Sequence, residues 1–131
     1  MKESITTILF DVGGTLRGGR RYPQPLLDNI REIMKITGIE GNPEEWNERF
    51  TERYRTYYAW GTRSTIELTE AEMWSQWLLP EAPADIVRAN AVRLNQLWRD
   101  AKSLKIPLRD TVPTLKALAR RGYRLGIISN T

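Results

Sequence analysis

The sequence predicts an α/β protein in which a small parallel sheet is interrupted by an inserted bundle of helices. Two apolar runs and the distance between them carry that reading. Ile8-Leu9-Phe10 and Leu125-Gly126-Ile127-Ile128 are short, nearly continuous apolar segments, the pattern of strands buried on both faces. Each runs into small polar groups, Asp11 after the first and Ser129 after the second. Parallel strands need a crossover of about a dozen residues, and the stretch between these two is far longer, so it holds an inserted domain.

Asp11 sits at the carboxyl end of the first strand, where open α/β sheets bind ligands. Gly13 and Gly14 then let the backbone turn sharply, with amide N–H groups free to face an anion. The segment Arg17-Gly18-Gly19-Arg20-Arg21-Tyr22-Pro23 has no alternating apolar pattern and reads as a loop. Its three arginines follow the Asp11 turn closely; they either help hold an anionic substrate or form a solvated basic loop.

The insert reads as helices. Leu26, Leu27, Ile30, Ile33 and Met34 recur at helical spacing behind Pro25, with Gly38 as a stop. Trp46, Phe50, Tyr54, Tyr57 and Tyr58 make a second stripe, opened by Pro43, Glu44 and Glu45. Thr69-Glu70-Ala71-Glu72 is a capping-box pattern ahead of Met73, Trp74, Trp77 and Leu78. A longer helix presents Ile86, Val87, Leu94, Leu97 and Trp98. Aromatic residues at helical spacing are core first; Tyr58, Trp60 and Arg63, beside an expected break at Gly61, are the candidates in this insert for facing a substrate. Val112, Leu115, Leu118 and Ala119 form the helix that returns the chain to the sheet, closed by Arg120, Arg121 and Gly122.

Composition narrows the chemistry. The 131 residues contain no Cys and no His, which excludes disulfides, thiol nucleophiles and imidazole bases. Any catalysis rests on carboxylates, hydroxyls, Lys, Arg or backbone. There is no run of about eighteen apolar residues, and Met1-Lys2-Glu3-Ser4 has no apolar signal region behind it, so a soluble cytoplasmic protein without a membrane partner is expected. The net charge of +4 comes from 20 basic residues interspersed with 16 acidic ones. That mixing points to solvated helix faces, and no nucleic-acid partner is expected.

The two motifs together resemble the haloacid dehalogenase superfamily. Asp11, Gly14, Thr15 and Leu16 match its first motif, D-x-D-G-T-L after an apolar strand, and Ser129-Asn130 match its second. The run from Ile106-Pro107-Leu108-Arg109-Asp110 to Gly122-Tyr123-Arg124 is similar to the family's approach to that second motif. The resemblance implies a Rossmann-like sheet, incomplete here, formed by residues 1–19 and 106–131, and a helical cap over residues 20–105. It implies a hydrolase of the phosphatase, phosphonatase or dehalogenase type with Asp11 as nucleophile. Ser129 and Asn130 would hold the transferring group of a small anionic substrate, while Gly13, Gly14 and Thr15 would line its site. It also implies Mg²⁺, held by the Asp11 carboxylate and the Gly13 carbonyl.

Two departures accompany the resemblance. Gly13 stands where the family's phosphatases place a second Asp as general acid/base. The sequence also stops at Thr131, before a third motif with Lys and a fourth with metal-binding carboxylates. The expectation is a chain inactive alone, either a truncated product or a piece completed by another chain, with a homo-oligomer covering the open sheet edge. A non-catalytic binding or structural module on the same fold is the main alternative. A second is the sugar kinases of the actin-like ATPase fold, whose D-x-G-G-T turn leads directly into another strand; the loop reading of Arg17–Pro23 argues against it.

Overall fold

The computed structural model describes residues 5–129. It is a mixed α/β structure with five α-helices and two two-stranded sheets among the described residues. The chain divides into two compact units, one formed by residues 1–21 and 104–131 and the other by Tyr22–Ser103.

In the first unit, β1 (Thr7–Phe10) pairs in parallel with β4 (Arg124–Ile127), in the register Thr7↔Arg124 to Phe10↔Ile127. The sheet stops at these two strands among the described residues. That corrects the expectation of strands buried on both faces: Leu9 is 55% exposed and Ile127 63%, while Ile8 and Phe10 are half-buried. An apolar run marks a strand that can be buried, and burial itself needs neighbours on both edges and both faces.

The segment after the turn is also corrected. Arg17–Arg21 is a strand, β2, and it pairs with β3 (Ser103–Pro107). Both strands are largely exposed, so backbone pairing holds them without any side-chain alternation to reveal them. β2 is not the second arm of a hairpin with β1, as the kinase alternative requires, because the two lie in different sheets. The helix α5 (Thr111–Arg120) packs on β4 and buries none of its residues, the expected Val112 included.

The second unit contains the core. α1 (Leu27–Thr37) ends on Gly38, whose φ of 73° is the left-handed cap that glycine adopts without a Cβ clash. α2 runs Pro43–Ser64, with the Asn42 side chain accepting from the Glu44 amide. Gly61 is therefore inside the helix and not a break. A Cβ there would lie 3.2 Å from the Ile66 carbonyl oxygen, so the missing side chain lets the chain fold back closely after Thr65. Of the expected stripe, Trp46, Phe50 and Tyr57 are buried, Tyr54 is half-buried and Tyr58 is exposed.

α3 (Glu70–Met73) opens with the capping box: Thr69 accepts from the Glu72 amide and Glu72 from the Thr69 amide. It passes into a π-helical turn, Trp74–Leu78, which seats Trp74 and Leu78 in the core and leaves Trp77 half-buried. α4 (Ala84–Lys102) buries Val87, Ala91, Leu94, Trp98 and Ala101, while Ile86 is exposed. Every buried residue of the described chain lies in this unit, and none lies in the first.

Two carboxylates tie this unit to pH. The Thr69 hydroxyl and then its amide hold the Glu72 carboxyl below the usual glutamate range. Partial burial would raise Glu81, and the two Arg53 hydrogen bonds, at 2.9 and 3.0 Å, outweigh it and lower it. A carboxyl lowered in the folded state contributes stability above its unfolded pKa and loses it as pH falls through the folded value. Thermal melts of a Glu72→Gln, Glu81→Gln double variant are therefore expected to lie below those of the parent at neutral pH and to converge with them in acid. Parallel curves across that range would contradict the assignment.

Candidate active site

The site is built from the turn after β1. The Ile128 N–H donates to the Phe10 carbonyl at 2.9 Å and carries the ladder to the end of both strands. Asp11, one residue beyond β1, and Ser129, two beyond β4, thus leave the sheet at the same carboxyl edge. Asp11 is exposed, and the Thr15 hydroxyl donates to its Oδ2 at 3.1 Å. One carboxylate oxygen is thereby oriented from within the turn. Asn130 lies outside the described residues.

The turn amides differ from the expectation of free donors. Gly14 N–H donates to the Arg17 carbonyl at 2.9 Å, and the N–H groups of Leu16 and Arg17 both go to the Val12 carbonyl. These bonds close the turn on itself, with Gly14 at a φ of 75°. Gly13 donates in none of them, so its amide is the member of the glycine pair that still suits an anion.

Leu16 anchors the turn to the rest of its unit. Its carbonyl accepts both the Leu108 amide at 3.0 Å and the Thr111 hydroxyl at 2.6 Å. A cavity of about 390 Å³ opens beside this anchor, lined by Phe10, Thr15, Arg109, Asp110, Thr111 and Thr114 among others. Arg109 and Thr111 are neighbours of the turn that sequence reasoning missed. The available signal was the polar Arg109-Asp110-Thr111 run ahead of a helix, which reads only as a helix start.

The expected Mg²⁺ site has few protein ligands among the described residues. Mg²⁺ demands near-octahedral oxygen coordination. Asp11 and the Gly13 carbonyl offer two protein oxygens, and no group of three His, Cys, Asp or Glu side chains gathers among the described residues. The remaining positions of such an ion would be filled by water and substrate oxygens.

The candidates of the helical unit separate. Tyr58 joins Tyr54, Tyr57 and Glu67 around a second cavity of about 340 Å³. Burial, and then the neighbouring Tyr57, Tyr58 and Glu67, push the Tyr54 hydroxyl up against the opposing pull of Arg99. Trp60 stacks between Tyr57 and Trp77, at 6.1 and 5.2 Å between ring centroids, and is a packing residue. The Arg63 guanidinium donates to the Ala59 carbonyl of its own helix.

The units differ sharply in charge. Of the described residues in the first unit, nine are basic and two acidic, Asp11 and Asp110, a net of +7. The basic set includes Arg17, Arg20 and Arg21 of β2, and Arg109 beside the cavity. The helical unit has ten basic residues against thirteen acidic, a net of −3. The interspersion seen along the whole sequence conceals this partition. Among the described residues no helix is long and apolar enough to cross a membrane. Comparison with family models, curated proteins and solved structures found no match for this chain.

Proposed function

We propose that the chain carries an aspartyl nucleophile for phosphoryl transfer, as a hydrolase-like protein of the haloacid dehalogenase type on a Rossmann-like core. The parallel pairing of β1 with β4, which brings Asp11 and Ser129 to one edge, is the observation that supports this most. In this reading an Asp11 oxygen attacks phosphorus, the bond to the leaving oxygen breaks, and a phosphoaspartate results. Ser129 and the Gly13 amide would contact the phosphoryl oxygens, and the basic surface of the same unit favours approach of an anion.

Gly13 sets the limit on that chemistry. A leaving alkoxide needs a proton, and glycine supplies none; loss of a positioned acid is worth about 10²- to 10⁴-fold in rate. An acyl phosphate avoids the difficulty because acetate departs without protonation. Incubation of the full chain with acetyl phosphate, with and without Mg²⁺, is expected to place one phosphoryl group on Asp11, readable by peptide mass spectrometry and absent in Asp11→Asn. Absence of an adduct, or an adduct elsewhere, would favour the non-catalytic module, for which Gly13 is the specific argument.

A further inference from the structure

We propose that the first unit is completed by an acidic, strand-forming polypeptide segment that extends the β1–β4 sheet. This goes beyond the chemistry at Asp11 and does not depend on it. Three observations converge. The sheet has only two strands among the described residues, so each strand presents an edge of backbone donors and acceptors without a strand partner. Large apolar side chains stand in solvent beside those edges: Leu9 at 55%, Ile127 at 63% and Ile128 at 64% exposure, with no buried residue among the unit's described residues to form a core. The same unit has a net charge of +7.

Each observation removes a different occupant. A nucleic-acid backbone answers the charge but covers neither apolar side chains nor strand edges, and the unit's described aromatics are only Phe10 and Tyr123, too few for a base-stacking platform. A second copy of this unit offers a strand and apolar surface, yet it brings another +7 against the first, and like charges facing each other across an interface cost several kcal/mol. The helical unit packs most of its apolar residues into its own core, exposes only scattered ones such as Tyr58, Ile66 and Val92, and has no strand within residues 22–102 to add. What satisfies all three is a segment whose backbone pairs with the sheet, whose alternate side chains are apolar, and whose remaining side chains are Asp or Glu.

Selection of short random peptides displayed on phage against the immobilised full chain tests this directly. The expected consensus alternates apolar and acidic residues. A synthetic peptide of that consensus should bind more than about tenfold tighter than its Lys-for-acid counterpart, weaken as salt rises, and slow amide exchange in β1 and β4. Two variants locate the surface, Leu9→Glu with Ile127→Glu on the sheet and Arg20→Glu with Arg21→Glu on β2, and each should weaken binding while the far-ultraviolet spectrum of the helical unit is kept. A basic or absent consensus overturns the proposal. So does tighter binding of oligothymidylate than of any selected peptide, or a salt-insensitive dimer in sedimentation whose formation protects the β1 amides.

Discussion

Trp74→Ala is expected to lower the stability of the helical unit by about 3–5 kcal/mol, the range for removing a large aromatic from a packed core. Trp74 is fully buried and meets the Phe50 ring edge-on at 5.3 Å and the Trp98 ring at 6.3 Å with planes at 88°. Its truncation therefore removes contacts to both α2 and α4 at once. Domains are stable by only about 5–15 kcal/mol, so the loss is a large share of the total. Trp74→Phe separates packing from polarity: the indole Nε1 is buried without a hydrogen-bond partner, and phenylalanine removes that unsatisfied donor while keeping most of the ring. Urea denaturation followed by circular dichroism should rank the parent and Trp74→Phe close together and Trp74→Ala far below. An alanine variant as stable as the parent would show that this cluster is not the core.

Amide exchange should divide the chain along the same boundary. The opening free energy of an amide runs from near zero in poorly packed regions to the global value in the core. β1 and β4 share their ladder with no buried side chain beneath it, whereas α4 places five residues in the core. In the isolated chain, the amides of Arg124 and Ile128, which bond to the Thr6 and Phe10 carbonyls, should exchange more than about a hundredfold faster than those around Leu94. Equal protection in β1 and α4 would contradict the division into a cored and an uncored unit.

These two contrasts also explain what was legible in the sequence. The helices were readable because burial on a helix leaves a mark at every third or fourth residue: Ile30 and Ile33, Trp46 and Phe50, Leu94 and Trp98 all show it. The Thr69–Glu72 box and the Gly38 cap were readable because each is a local solution to unpaired backbone groups. Strand β2 was not, since Arg-Gly-Gly-Arg-Arg shows no period and its partner lies some eighty residues away. The π-helical turn at Trp74–Leu78 likewise has no side-chain signature. At the candidate site, Asp11 and Thr15 were visible as neighbours in one turn. The Leu16 carbonyl accepting from Thr111, far along the chain, was not.

The two ends of the helical unit are fastened to each other: the Tyr22 amide donates to the Lys102 carbonyl at 3.0 Å, and the Leu26 amide to the Ala101 carbonyl at 2.8 Å. Entry and exit that meet in this way are the arrangement in which domains tolerate insertion and circular permutation. The bundle is thus a cassette.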